Sequence, residues 1–336
     1  MEKIQSEIRG KKGVASNALR FFRTVVPWLV TACIFAYIFN KIPLSEVIAY
    51  MKQVRFGLFF AAVLVTAPFF YTLDTLCYHL AFNWVGTRTR YREVLIARGG
   101  SYILAMINFY VGQGGMALWV TRKKKMHPIA AAGIVLFQLF LGLYMIISLS
   151  AFGLLVLVPR TGIMDYAAGG EYEKLVRFTT IAFALLTFQA LLWSFGPHKG
   201  VLNRLIFWGP FKVLEKVRFH HLLILFFIKI VSFMFEIVGC MIAFKAFGVD
   251  VSFAHLFAYV PLVLLIGTVP ITVLHLGTTQ AAWLWFFKDL IKPATILAYS
   301  LLWQTSFIFV RMLVGLACLR FVIDDFRPDN KKSRSV

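Results

Sequence analysis

Five ionisable side chains lie deep inside long apolar segments of this 336-residue sequence: Asp74, Arg98, Lys229, Glu236 and Arg311. Each of them costs on the order of 2.5–3.5 kcal/mol at the centre of a membrane-inserted helix. We therefore expect all five to face the protein interior and to find partners there. Lys229 and Glu236 are seven positions apart, which is two helical turns, so they share one face of a helix.

The three cationic residues among these five could bind an anion. A guanidinium donates two parallel hydrogen bonds to a phosphate, whereas an ammonium acts as a point charge. We interpret Arg98, Lys229 and Arg311 as ligands of a phosphate. Asp74 and Glu236 would orient these cations. Two alternatives stay open: the charges are structural ion pairs without a ligand, or one of the two carboxylates carries a proton.

Two glutamines occupy matching places in two glycine-containing stretches. Gln113 lies within Gly112–Gly115, and Gln280 follows Leu276-Gly277-Thr278-Thr279. An amide can hydrogen-bond the free backbone groups of an interrupted helix, or it can bind a ligand headgroup. Both interpretations stay open for both residues.

The sequence offers little for an enzyme. It has no metal-binding His/Glu spacing, no nucleophile motif and no phosphate-binding loop followed by Lys-Ser/Thr. The four cysteines stand singly in apolar segments, which is typical of small buried residues. We predict no enzymatic activity, no catalytic residue, no metal and no cofactor.

Composition predicts a polytopic all-α membrane protein. Hydrophobic residues make up 60% of the chain, charged residues make up 15%, and the mean hydropathy is +0.77. Several apolar runs exceed the length that spans a bilayer. The net charge of +20 would suggest nucleic acid for a soluble protein. Here the basic residues flank apolar segments, so we predict anionic membrane lipids as partners and no nucleic acid.

The apolar segments predict about six transmembrane helices and two re-entrant helical hairpins, 93–120 and 254–288. We expect the first hairpin to break at Gly112–Gly115, because glycine permits the positive φ of a tight reversal. A span followed by a glycine-rich loop is the alternative. The predicted crossings are 21–40, 56–83, 129–158, 178–195, 222–246 and 293–324.

The distribution of basic residues supports this topology. With both hairpins re-entrant, 23 of the 35 Lys and Arg residues lie on one side and 8 lie on the other. If 93–120 crossed fully, Arg122–Lys125 would lie opposite the arginines of 88–92, which the positive-inside rule disfavours. We predict a multi-pass protein of the cell (inner) membrane with both termini in the cytoplasm.

The order span, span, hairpin, span occurs twice, with opposite orientation in the two halves. This pattern predicts an inverted-topology repeat, which places a site near the membrane midplane between the repeats. A bundle of eight independent helices is the alternative.

We predict an amphipathic helix on the inner leaflet at 201–219. The predicted regions are a basic N-terminal segment 1–20, a first repeat 21–158, a second repeat 178–324 and a cytoplasmic tail 325–336.

Two stretches carry a family resemblance. The first is Gly114-Gly115-Met116-Ala117-Leu118, before a basic cluster and a long span, and the second is 269–272 followed by 276–282. From about residue 20 to 324 the chain resembles the flippase-like transmembrane domain of the lysylphosphatidylglycerol synthase family. Hairpins of that family typically carry a Pro before the glycines and a Glu after them. Here the first hairpin has neither, and the second keeps Pro270 but has Gln280 instead of the acid.

The resemblance implies a protein that moves or binds an anionic or modified lipid between leaflets, through a cavity between the repeats. We expect no synthase domain in this chain. Two alternatives from other classes stay open. One is a membrane-embedded lipid or polysaccharide transferase, and the other is an accessory scaffold subunit with such a synthase as its partner.

Overall fold

The computed structural model describes residues 25–160, 170–196, 201–269 and 271–326. Within these ranges the chain is helical, and no strand occurs in them. The predictions for segment 1–20, for 327–336 of the tail and for Pro270 fall outside the described residues. The all-α fold predicted from composition is confirmed.

The helices follow the predicted order. The first half contains α1 (Val25–Lys41), α2 (Leu44–Lys52), α3 (Phe56–Trp84), α4 (Tyr91–Ile107), α5 (Phe109–Lys124) and α6 (Pro128–Phe152), which continues through a π-helical turn at Gly153–Leu157 and a last turn at Val158–Arg160. The second half contains α7 (Glu171–Phe195), α8 (Val201–Ile206), a 3-10 helix (Gly209–Lys216), α9 (Phe219–Ala246), α10 (Phe253–Gly267), a 3-10 turn (Val273–His275), α11 (Thr278–Phe287) and α12 (Pro293–Phe326).

Five of the described helices are long and apolar enough to cross a membrane: α3, α6, α7, α9 and α12. A sixth crossing results if α1 and α2, which meet at an angle of 84°, form one broken span. The main boundary error is α7, which begins at Glu171 rather than at 178. The predicted amphipathic segment 201–219 is divided into α8 and the 3-10 helix.

The first hairpin reverses at Asn108, so the prediction of a break at Gly112–Gly115 was wrong. Asn108 is extended, and its side-chain oxygen accepts hydrogen bonds from the amides of Tyr110 (2.9 Å) and Val111 (3.4 Å). This N-cap starts α5, which then runs straight through the glycines. A Cβ on Gly112 would lie 2.5 Å from the Cβ of Ala105 in α4. The glycine therefore permits close packing of the two helices.

In the segment of the second predicted hairpin, α10 and α11 pack against each other. A long irregular segment joins them and contains three residues with positive φ. Leu274 and His275 have φ of 52° and 60°, and Gly277 has φ of 96°. Only glycine adopts such angles without steric cost, so the residues at 274 and 275 are held there by their surroundings.

Each hairpin packs against the last long helix of the other half. The first hairpin contacts α12 through α4, the second contacts α6 through α10, and α3 packs against α9. Small residues permit these approaches. A Cβ on Gly99 of α4 would lie 2.5 Å from the sulfur of Cys318 in α12, and a Cβ on Gly153 would lie 2.8 Å from the Cα of Ala258. The two halves are therefore interlocked.

The connectors gather at two opposite ends of the helix bundle. At the basic end, the Lys216 Nζ donates to the Val85 carbonyl oxygen (3.0 Å), which ties the 3-10 helix to the end of α3. At the other end, the Arg55 amide donates to the Ala246 carbonyl oxygen (3.0 Å). The connectors that the charge pattern assigns to one side thus meet at one end.

Two buried apolar clusters fill these two ends, and Asp74 and Lys229 lie between them. On α3 the first cluster reaches Ala67 and the second begins at Cys77, with Asp74 in the interval. Lys229 occupies the corresponding interval on α9. We call Asp74, Arg98, Lys229, Glu236 and Arg311 together the charged layer, and each of them lies well inside its helix.

Candidate functional site

A network around Arg98 forms the first part of the charged layer. The Arg98 Nε donates to the Asp74 carboxylate at 2.7 Å, and its Nη1 donates to Ser101 Oγ (3.4 Å) and Gln113 Oε1 (3.3 Å). The hydroxyl of Tyr78 donates to the same Gln113 oxygen at 2.6 Å. The Arg98 residue is only 8% exposed. Gln113 therefore joins the two helices of the first hairpin to α3.

This network is locally complete. Arg98 has a carboxylate, an amide oxygen and a hydroxyl as partners, and the rings of Tyr78 and Tyr102 lie 5.1 and 5.2 Å from its guanidinium carbon. A buried ion pair with additional hydrogen bonds is a satisfied structure, and removal of one partner leaves the other charge uncompensated. The arrangement can hold α3 and α4 together without any ligand.

Lys229 brings the second half of the chain to this network. Its Nζ lies 4.0 Å from the Asp74 Oδ1, which is the outer limit of an ion pair and too long for a hydrogen bond. Asp74 therefore faces two cations, one from each half, but it binds Arg98 far more closely.

Arg311 has a different environment. It lies in the middle of α12 and is exposed, and it makes no ion pair or hydrogen bond to any residue that the structure describes. Its guanidinium carbon lies 5.8 Å from the Tyr102 ring and 6.0 Å from the rings of Phe70 and Phe307. These aromatic faces provide weak cation–π attraction and no counter-charge.

Glu236 likewise lacks a direct partner among the described residues. Arg311 is the cation that acts on it electrostatically, at a separation beyond that of an ion pair. The prediction that Lys229 and Glu236 reach the same interior is compatible with this geometry, but their surroundings differ. Lys229 lies 4.0 Å from the Asp74 carboxylate, whereas Glu236 is acted on by Arg311 only at longer range.

The tips of the two hairpins meet beside Arg311. The ring of Phe109, at the start of α5, lies 6.3 Å from the ring of His275. Arg311 also acts electrostatically on His275, whose buried Nδ1 has no hydrogen-bond partner among the described residues. α5 and α11 both begin at these tips, so the positive ends of two helix dipoles are placed there.

Gln280 is apart from the charged layer, in contrast to Gln113. Its Oε1 accepts from the Gly277 amide (2.6 Å), and its Nε2 donates to Gln304 Oε1 (3.2 Å). Gln304 in turn donates to the carbonyl oxygen of Leu274 (2.7 Å). The two amides therefore satisfy backbone groups of the irregular segment in the second hairpin.

Sequence reasoning missed Tyr78, Tyr102 and Gln304. Gln304 had a usable signal, since it is a polar residue within an apolar span. Tyr78 and Tyr102 had none, because aromatic residues are abundant in every segment of the chain.

Comparison with protein families identifies the chain. The family described as "Lysylphosphatidylglycerol synthase TM region" matches residues 24–315, and the chain belongs to this family. No curated protein matches. Together with the membrane-length helices, the match makes this chain a multi-pass integral membrane protein of a family related to lipid metabolism.

Proposed function

We propose that this member of the lysylphosphatidylglycerol synthase TM region family binds the headgroup of an anionic or modified membrane lipid between its two halves and moves the lipid between leaflets. The observation that carries the proposal is the state of Arg311. It is a guanidinium in the middle of a membrane-length helix, exposed and without an ion pair or hydrogen bond to any described residue.

The anionic headgroup of a lipid would form the ion pair that Arg311 lacks. The layer contains three cations and two carboxylates, so one positive charge is left over when all are ionised. A phosphate would compensate it, and a guanidinium matches phosphate with two parallel hydrogen bonds. The helix N-termini at both hairpin tips favour negative charge in the same place. We assign Arg311 as the main phosphate ligand.

The other predicted site residues then have distinct roles. Lys229, whose side chain is 12% exposed, acts as a second point charge. Arg98, Asp74 and Gln113 position the first hairpin, and Gln280 positions the second. Glu236 balances Arg311 when no lipid is bound.

The movement that we propose is a rocking of two inverted repeats, 21–158 and 178–324, each with a re-entrant hairpin. The reciprocal packing of each hairpin on the other half supports it, as does the meeting of both tips at the charged layer. Inverted repeats in transporters bind substrate at the midplane and expose it alternately to both sides. The positive-inside rule then makes the basic end cytoplasmic, in the cell (inner) membrane.

Lipid movement in reconstituted vesicles tests this function. Purified protein in vesicles with acyl-labelled fluorescent phosphatidylglycerol should expose the probe to an external quencher faster than empty vesicles do. Arg311→Gln should slow this by on the order of tenfold or more, because a charge-assisted contact is lost. Arg177→Gln is a matched control, since Arg177 is exposed and pairs with Glu173 four residues earlier.

Equal rates for wild type and Arg311→Gln would contradict the proposal. A chemically altered lipid, detected by mass spectrometry, would favour the transferase alternative. No lipid movement by the wild type, together with co-purification of a synthase, would favour the scaffold alternative.

Cysteine labelling tests the topology. In a Cys33→Ser background, which removes the exposed native thiol, Arg122→Cys should react only from the cytoplasmic side. Asp250→Cys, at the opposite end of the bundle, should react only from outside. Labelling of both positions from the same side would eliminate the inverted repeat.

A further inference from the structure

A crevice opens between the first hairpin and the C-terminal half of α12. It has a volume of about 200 Å³ and lies between α4, α5 and α12. Its walls are almost entirely apolar, and they include Ser101, Leu104, Gly115, Leu118, Leu319 and Val322. A water occupies roughly 30 Å³ in the liquid, so the crevice has room for about six or seven groups of that size. It can take part of an alkyl chain and no bulky headgroup.

The inner end of the crevice touches the charged layer. Ser101 forms part of the wall, and its hydroxyl accepts a hydrogen bond from Arg98 Nη1 (3.4 Å) and donates to the Arg98 carbonyl oxygen (2.7 Å). A chain in the crevice would therefore end beside the network that holds Arg98.

The outer end of the crevice lies beside a basic residue. Leu319 belongs both to the crevice and to a shallower groove that also contains Arg320 and Asp324. Arg320 is exposed and forms no ion pair with a described residue. It follows Arg311 by nine residues on the same helix, or roughly 13 Å along the axis. The mouth of the crevice thus offers a guanidinium close to the end of α12.

A polar contact fixes the outer wall of the crevice. The Trp119 ring lines it, and its Nε1 donates to the Asp325 carboxylate at 3.1 Å. Lys123 pairs with the same carboxylate. The base of the first hairpin is therefore joined to the end of α12 across the mouth.

We propose that this crevice holds one acyl chain of an anionic glycerophospholipid whose phosphate is bound by Arg320, and that it is where the lipid docks before its headgroup reaches Arg311. The inference rests on the proposed function and adds a docking step to it. The apolar walls match an alkyl chain, the mouth matches a phosphate, and the exposed Leu118 and Leu316 open onto the zone that membrane lipid occupies.

Photocrosslinking tests the crevice directly. The probe is phosphatidylglycerol with a diazirine in one acyl chain, mixed into phosphatidylcholine nanodiscs that contain the full chain. We expect adducts to concentrate on Leu104, Leu118 and Leu319. Leu319→Trp should lower crevice adducts by on the order of tenfold, because the indole excludes several methylene groups. Leu313→Trp, on an exposed position of the same helix outside the crevice, should leave them unchanged.

Two further variants keep the test decisive. Leu118→Trp fills the crevice from the opposite wall and should reproduce the effect of Leu319→Trp. If one of the two variants folds poorly, the other still tests the crevice. Arg320→Gln should lower the adducts severalfold without filling the crevice. Adducts spread evenly over Leu313 and the crevice, or equal losses in Leu313→Trp and Leu319→Trp, would overturn the proposal.

The same samples separate this inference from the proposed function. Arg311→Gln should keep the crevice adducts and lose lipid movement. Crevice adducts in a wild type that moves no lipid would overturn the proposed function and leave the acyl-chain site standing. Lipid movement by a wild type whose adducts avoid the crevice would overturn the docking step alone.

Discussion

Arg98 and Arg311 contact the same aromatic ring but have opposite surroundings. Both guanidinium groups lie near Tyr102, at 5.2 and 5.8 Å from its ring. Arg98 is buried and bound to Asp74 and Gln113, whereas Arg311 is exposed and makes no ion pair with any described residue. Depth in a membrane span therefore does not by itself define a ligand site. Whether the fold places an ion-pair partner beside the arginine decides between a structural and a ligand-binding role.

The largest expected loss of stability follows from replacing Arg98, the arginine that is paired with Asp74. Arg98→Ala should destabilise the protein by about 3–5 kcal/mol, because Asp74 is left as a buried charge without its closest partner. Unfolding in mixed detergent micelles measures this. The double variant Arg98→Ala/Asp74→Asn should recover a substantial part of the loss. A single variant as stable as the wild type would remove the distinction between the two arginines.

An intermediate effect is expected where the hairpin that carries Arg98 is packed most tightly. Gly112→Ala should cost about 1–3 kcal/mol, because its Cβ would lie 2.5 Å from that of Ala105. Gly114→Ala is the matched control: no atom lies within 4 Å of a Cβ there. That control should be stabilising by about 0.8–1 kcal/mol, the helix preference of alanine over glycine. Equal behaviour of the two variants in the same unfolding assay would show that the hairpin does not depend on this contact.

The smallest change in stability is expected from replacing Arg311, the exposed arginine. Arg311→Ala should change the unfolding free energy by less than about 1 kcal/mol, since no ion pair or hydrogen bond to a described residue is lost. The same micelle unfolding assay applies. A loss as large as that of Arg98→Ala would mean that Arg311 is structural, and would make both arginines alike.

Much of the fold could be predicted from the sequence because its signals are local. Uninterrupted apolar length predicts each long helix, and the pattern of basic residues groups the connectors that meet at each end of the bundle. The position of the first hairpin's turn could not be predicted in this way. Glycine can serve either a reversal or close packing, and only the position of Ala105 on the neighbouring helix decides between them.

The sequence indicates which residues belong to the candidate site, but it does not indicate how they pair. The cost of charge in hydrocarbon marks Asp74, Arg98 and Arg311 without any structure. Their pairing depends on how helices far apart in sequence pack, so the isolation of Arg311 could not be foreseen. Gln113 and Gln280 show the same limit: they occupy matching positions, yet one joins the charged network and the other binds backbone.

Native mass spectrometry of gently extracted protein tests the central claim most directly. The wild type should retain one anionic lipid in stoichiometric amount, and Arg311→Gln should lose it while remaining folded. The control Arg177→Gln should retain the lipid. The same lipid retained equally by wild type and Arg311→Gln, or only an unselective mixture of lipids on the wild type, would contradict the assignment of Arg311 as the headgroup ligand.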